Sequence, residues 1–279
     1  MLKVTIVWRQ PQEVEKPVPR EKSQECGLLF LIGGAAKSCL KRFIRLAGGP
    51  KAHIVILPHA SLAPRKAARA LAQSFAQAGA GQTSIIMPRS SSTIANDATA
   101  VFFTGGAQAR LVQLLSPVLC AQLYQFFQAG GLVGGTSAGA AAMAQVMIAD
   151  GMNDGILRPG SLCLQNGLGF VVDVVVDTHF QQRARFNRLM AAVTLVSGSL
   201  GIGLDEDTAV EIDTDGIASV YGQGHAWFFA LGAKHDSNLS DAPKRQHKAC
   251  VAGVEVSTLS AGEQFSLKDR SWSRFHRTG

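Results

Sequence analysis

The chain lacks most of what a secreted, membrane-spanning or metal-dependent protein of 279 residues displays. Its five cysteines (Cys26, Cys39, Cys120, Cys163 and Cys250) are odd in number and scattered, with no Cys-x-x-Cys pair. That pattern argues against a zinc or redox motif and leaves reduced thiols in a cytoplasmic location as the expectation. Apolar runs are interrupted by glycines, by Gln145 or by Asp173 well short of the roughly 20 residues of a membrane span, so no membrane association is expected. Met1 to Trp8 supply too few apolar residues before Arg9-Gln10-Pro11 for a secretory core segment, so no signal peptide is expected. Charge is sparse at 17%, and the excess of basic residues (27 against 20 acidic, net +7) is spread out. Local enrichment at Lys41 to Arg45, Lys244 to Lys248 and Arg270 to Arg277 comes with no nucleic-acid-binding motif, so no nucleic-acid partner is expected.

What the chain does have is 47% hydrophobic residues and 29 glycines, enough to build a large core with many tight turns. Residues 9–25, rich in Pro, Glu, Gln, Lys and Arg, oppose both helix and central strand, so residues 1–27 are expected to form an extended arm. From Leu28 apolar strand candidates at 28–33, 53–57, 84–87 and 100–103 alternate with helical stretches at 38–47, 64–79 and 118–129. This rhythm predicts an α/β domain with a mostly parallel sheet covered on both faces. The second half offers a β-favouring run at 170–176, a helix from about 181 to 196, and strands at 208–212, 217–221, 225–231 and 250–257, with a loop over His235 to His247. A single domain over 28–266 and a basic tail over 267–279 are therefore expected.

Gly135-Thr136-Ser137-Ala138-Gly139 reads Gly-x-Ser-x-Gly between an apolar, strand-like segment and the helix-favouring Ala140 to Ala144. This is the setting of a nucleophile elbow, in which a serine on a tight turn projects its hydroxyl at a helix N-terminus beside unpaired N–H groups. Gly-rich turns of this kind also cradle phosphates, so partners must decide between the two uses. Of seven histidines, His179 stands out because it follows an apolar strand and Asp177-Thr178, at the carboxyl end where open α/β sheets place their sites. His59, after Leu57-Pro58, is a weaker candidate; His53 opens a strand, and His235, His247 and His276 lie in polar segments.

An orienting acid is offered by Asp205, Glu206 and Asp207, among which composition and spacing do not choose. The order serine, histidine, acid differs from that of α/β-hydrolases. Arg185 and Arg188 share a helix face near His179, and Arg183 joins them only if it lies in the turn before the helix. Such a cluster suits a substrate with acidic groups. Thr104-Gly105-Gly106-Ala107-Gln108 closes another strand, where a glycine N–H would complement that of Ala138 toward an oxyanion and Gln108 would meet substrate.

Taken together, Phe103-Thr104-Gly105-Gly106 with Gln108, Gly134 to Ala140, Asp177 and His179-Phe180 with Arg183, Arg185 and Arg188, and Gly201 to Ala209 resemble the cyanophycinase branch of serine peptidases that includes peptidase E. The resemblance covers about Leu28 to Gly232 and implies a flavodoxin-like fold akin to the class I glutamine amidotransferase domain, with added strands and a homodimeric assembly. It implies Ser137 as nucleophile, His179 as base and Glu206 as orienting acid, with Gly106 and Ala138 as oxyanion donors. Gln108, Asp177, Thr178, Arg183, Arg185 and Arg188 would then form the substrate pocket. The implied reaction is exopeptidase release of β-aspartyl-arginine from cyanophycin, an arginine-bearing polyaspartate, with neither metal nor organic cofactor required.

The chain departs from the family pattern at Thr178, where a glutamine is usual, at Ala107, where an acid is usual, and at Ala35 and Ala36. A threonine lacks the amide that both donates and accepts, so pocket contacts change. Two alternatives follow: an aspartyl or isoaspartyl dipeptidase acting on short peptides, and a non-catalytic, amidotransferase-like module that binds an acidic ligand.

Overall fold

The structure, a computed structural model, describes residues 27–151, 156–158, 160, 162–240 and 249–274. All but the last residue of the expected arm, and the basic stretch 244–248, lie outside the described residues. The first half runs β1 (Leu29–Ile32), α1 (Leu40–Leu46), β2 (His53–Leu57), α2 (Pro64–Gln77), β3 (Gln82–Ile85), β4 (Ala100–Phe103), α3 (Gln108–Leu114), α4 (Pro117–Gln128) and β5 (Leu132–Thr136). The second half runs α5 (Ala138–Ala141), β6 (Val146–Gly151), β7 (Leu162–Asn166), β8 (Val174–Thr178), α6 (Phe186–Leu195), β9 (Leu200–Leu204), β10 (Thr208–Ile212), β11 (Ile217–Gly222), β12 (Ala226–Ser237), β13 (Val251–Leu259), β14 (Glu263–Ser266) and β15 (Ser271–Arg274).

Nine strands form the main sheet in the order β15-β14-β11-β10-β1-β5-β4-β2-β3. The five from β1 to β3 along that order are mutually parallel, and the other four extend the sheet antiparallel from β10. β1, β2 and β4 are buried on both faces, which is why they read as unbroken apolar runs, whereas the edge strand β3 is polar and partly exposed. Leu29, Leu31, Val55 and Val101 face one core, while Phe30, Ile32, Ile54 and Phe102 face the other, under α1 and α2. Local signals place the helices: Pro64 and Pro117 open α2 and α4, and the Ser116 hydroxyl accepts from the Leu119 amide at 3.2 Å.

A second sheet, β13-β12-β9-β8, stands apart from the first. The strands expected in the second half thus divide, β10 and β11 joining the main sheet while β12 and β13 join the other. The run 170–176 is not one strand. Asp173 adopts φ +55°, which breaks the extended backbone, so β8 starts at Val174 and ends with Asp177 and Thr178, both buried. The helix expected from 181 begins only at Phe186, because the chain first turns through residues 180–184 with Ala184 at φ +49°. The Ala-rich segment makes a single turn of helix before Ala142 and Met143 accept hydrogen bonds from Leu168 and Phe170. His235 to Ser237 extend β12 rather than opening a loop. The end expected as a tail from residue 267 supplies β15, whose Trp272 pairs with Phe265 of β14. No helix among the described residues is long and apolar enough to cross a membrane.

Phe43 of α1 anchors the α1–α2 face, its ring 4.9 Å from Phe102 and 5.8 Å from Phe75, and Gly134 leaves the space it fills. Phe43→Ala should lower stability by about 3–5 kcal/mol through lost burial and a residual cavity. Urea denaturation should record this as a lower midpoint at unchanged slope.

Candidate active site

The carboxyl ends of β1, β4, β5, β8 and β9 converge on Ser137. The serine follows β5 with φ +54° and ψ −119°, the strained turn of a nucleophile elbow, and it stands at the N-terminus of α5. Its amide is tied to the Ile32 carbonyl at the end of β1 at 2.8 Å. Gly135 and Gly139 make the turn feasible, since a Cβ on Gly135 would lie 2.6 Å from the Gly139 backbone and one on Gly139 would lie 2.5 Å from the Phe103 carbonyl.

The Ser137 hydroxyl lies 2.8 Å from His179 Nε2, and His179 Nδ1 lies 2.7 Å from Glu206 Oε1. With Nδ1–H donated to the carboxylate, Nε2 is left to accept the serine proton, the polarity that general-base activation requires. The imidazole side chain is only 14% exposed and Glu206 is 40% exposed, so the series opens to solvent at its acidic end. Gly105 sits against Ser137, a Cβ there reaching 3.3 Å from the serine Cβ. Among the described residues, neither the Gly106 nor the Ala138 N–H has a hydrogen-bond acceptor, which leaves both available to a developing oxyanion.

The three consecutive carboxylates have separate surroundings. Glu206 meets His179; Asp205 is buried and accepts from the Gln181 and His225 amides; Asp207 accepts from the Ser38 amide at 2.7 Å. Of the three, Glu206 is the carboxylate within hydrogen-bonding distance of His179.

The basic cluster is arranged differently from the expected pocket. Asp177 Oδ2 accepts from Arg188 Nε at 2.8 Å, and its Oδ1 accepts from Arg188 Nη2 and from Arg185 Nη1 at 3.0 Å. Its carboxylate is filled by the protein's own guanidinium groups and is not free for a substrate cation. Arg188, 5% exposed, is held inside by that fork, and Thr178 is buried with its amide on Asp177. Arg185 Nη1 also donates to the Thr178 carbonyl at 2.7 Å. Burial is the main influence pulling the Arg185 pKa down; Asp177 opposes it, while Arg188 and Arg183 add to it. Arg183 does lie in the turn before α6 and is exposed. The Asp177 carboxylate is thus shared by two guanidinium groups, and the charge of Arg183 also acts on Arg185. The Gln108 amide nitrogen donates to the Ile148 carbonyl of β6, which fixes the side chain against that strand.

Sequence reasoning passed over Gly33 and Gly34, which lie behind the imidazole. The Gly33 carbonyl accepts the His179 amide at 2.8 Å, and a Cβ on Gly34 (φ +124°) would fall 2.3 Å from His179 Cε1. Their signal was a Gly-Gly pair directly after a strand. A second serine–histidine–carboxylate series, Ser84 Oγ at 2.9 Å from His53 Nε2 and His53 Nδ1 at 2.9 Å from Asp97, has the same polarity without an elbow. Ser84 lies within the edge strand β3, away from any helix N-terminus, so this series joins β2, β3 and the turn before β4 and does no more.

An elbow serine in hydrogen-bonded series with a histidine and a carboxylate on an α/β sheet defines a hydrolase of the serine type. Residues 29–220 match the sequence pattern of peptidase family S51, and the chain belongs to that family of serine-type peptidases. It is 36% identical over 258 residues to a cyanophycinase of Trichormus variabilis, covering 87% of this chain and 86% of that one. It is 32% identical over 236 residues to a cyanophycinase of Synechococcus elongatus, covering 78% and 73%. Among solved structures it is similar to a peptidase from an acI-B1 Actinobacterium, with TM-score 0.58 and 22% identity over 87% of this chain and 98% of the other. A putative peptidase E protein from Listeria monocytogenes shares the fold at TM-score 0.51 and 15% identity, over 71% of this chain and all of that one.

Gly34→Ala should push the imidazole off its line to Ser137 and lower turnover on the order of 10²-fold, as displacements near 1 Å do, while the melting temperature shows the fold retained. A second expectation concerns His59, whose neighbour Ala60 supports the Gly105-Gly106 turn by accepting the Ala107 amide at 2.9 Å. His59 is 1% exposed, and burial pushes its pKa down from 6.5 to about 4. The unfolded chain then binds the proton more readily, so the His59 contribution to stability is complete above 6.5 and is lost as pH falls toward 4. Denaturation midpoints followed across that range should show wild type losing stability relative to His59→Leu as the pH drops.

Proposed function

We propose that the chain is an exopeptidase that hydrolyses cyanophycin to β-aspartyl-arginine dipeptides. The observation that carries this reading is the series Ser137 Oγ, His179 Nε2, Nδ1, Glu206 Oε1, with spacings of 2.8 and 2.7 Å at an elbow turn. The substrate is drawn from the cyanophycinases to which the chain is 32–36% identical. In this reading His179 takes the Ser137 proton as the hydroxyl attacks the scissile carbonyl, and the Gly106 and Ala138 N–H groups hold the oxyanion. His179⁺ then protonates the leaving amine. Water, deprotonated by His179, resolves the acyl-enzyme, and Glu206 steadies the imidazolium in both halves. Arg183 and the accessible side of Arg185 hold an aspartyl carboxylate, and the Gln108 carbonyl accepts from the peptide. A cytoplasmic location is supported by the free thiols of Cys39, Cys120, Cys163 and Cys250, and a homodimer is part of the same proposal.

A second reading, an aspartyl or isoaspartyl dipeptidase on short peptides, is favoured by Asp177. Its carboxylate is taken up by Arg185 and Arg188, so it offers no counter-charge to a substrate arginine. A non-catalytic binding role would require that Ser137 fail to react with a serine-directed phosphonate.

Purified protein incubated with cyanophycin granules should release β-aspartyl-arginine, detected by mass spectrometry, and Ser137→Ala should release it on the order of 10⁴-fold more slowly or worse. Wild-type turnover by that variant would overturn the mechanism. Cleavage of free aspartyl dipeptides with the polymer left intact would establish the second reading.

A further inference from the structure

We propose that Asp205 is a positioning residue that locks the turn carrying His179 to the turn carrying Glu206, with Gln182 closing the same clamp from the opposite side. The proposal rests on the acyl-transfer reading of Ser137. His179 and Glu206 belong to different loops, after β8 and after β9, and each loop turns sharply, with φ +49° at His179 and +51° at Asp207. Strained turns of this kind keep their shape only where neighbouring groups over-determine them. Three consecutive hydrogen bonds do so here. The Phe180 amide donates to the Leu204 carbonyl at 3.1 Å, the Gln181 amide to Asp205 Oδ1 at 2.9 Å, and the Glu206 amide to Gln182 Oε1 at 3.0 Å.

Asp205 is the buried member, 1% exposed, and its second oxygen accepts the His225 amide at 3.1 Å while its own amide donates to the His225 carbonyl at 3.1 Å. The carboxylate thereby ties the base turn to the entrance of β12 as well. Glycines make room on both sides. A Cβ on Gly33 would lie 2.1 Å from the Asp205 carbonyl, and one on Gly224 would lie 2.8 Å from Asp205 Cβ. Among the described residues the Asp205 carboxylate has no Lys or Arg partner, and His225 Nδ1 lies 3.7 Å away on a half-exposed ring. Its stabilisation comes chiefly from backbone amides, which an acceptor-only group on a short stem satisfies and an amide side chain does not.

In Asp205→Asn the side-chain NH₂ must face one of the two backbone amides, donor against donor, so one turn is released while the volume is kept. Phosphonylation of Ser137, followed by mass spectrometry, reads the alignment without reference to any substrate. Wild type should be labelled at Ser137, and Asp205→Asn at a rate at least about tenfold lower, as a misplacement of the reacting groups requires. Its kcat should fall in proportion and its KM should stay within about threefold, the pattern of an interaction made in the transition state. Gln182 is exposed, so Gln182→Ala should fold even if Asp205→Asn does not, and should show the same split between kcat and KM more weakly. Gln182→Glu keeps the acceptor for the Glu206 amide and should recover the rate. Wild-type labelling rates in folded Asp205→Asn, or in Gln182→Ala should Asp205→Asn fail to fold, would overturn the clamp. An unlabelled wild type would instead overturn the acyl-transfer reading on which the clamp rests.

Discussion

The hydrogen bond from Ser137 to His179 joins two parts of the chain that have no local reason to meet. Ser137 is fixed by the main sheet, through the β5 elbow and its amide on the Ile32 carbonyl. His179 belongs to the smaller sheet, after β8, and reaches Ser137 only because its amide is held by Gly33 at the end of β1. A spacing of 2.8 Å across that seam is therefore a property of the packing between sheets. The glycines at 33, 34, 105 and 106 allow backbone to approach where a side chain would intrude on the Asp205 carbonyl, the imidazole, the serine or the Ala60 carbonyl respectively.

Charge around this seam follows a simple division of labour. Asp177 is given over to Arg185 and Arg188, which makes it an internal counter-ion that presents Arg185 from a fixed position. Truncating such a buried partner leaves uncompensated charge, and the cost of that would appear as instability before it appeared as altered specificity. Arg183 is exposed in the turn before α6, and its charge adds to that of Arg188 in acting on Arg185. Glu206, by contrast, is partly open to water while it stays within 2.7 Å of His179 Nδ1.

The elements that were legible in the sequence are those governed by short-range rules. β2 and β10 fall where short apolar runs rich in β-branched residues put them, and Pro64 and Pro117 mark the starts of α2 and α4. The segment 170–176 was misread because valines favour strand at every position, while Asp173 turns the chain at positive φ in a context that only the Ala144–Val171 bridge reveals. Arg185 and Arg188 share a face by spacing, yet spacing carries no information on whether that face meets a ligand or a buried aspartate. The structure puts Asp177 there.

By itself the sequence determined the parallel α/β architecture, the serine elbow and the chemistry on offer, because hydrophobic period, glycine placement and residue type act over a few residues. Only the tertiary structure decided which of Asp205, Glu206 and Asp207 faces the imidazole and which arginines are consumed internally. Those outcomes depend on distances between loops far apart in the chain, and adjacent carboxylates of nearly identical chemistry are told apart only by where the backbone turns them.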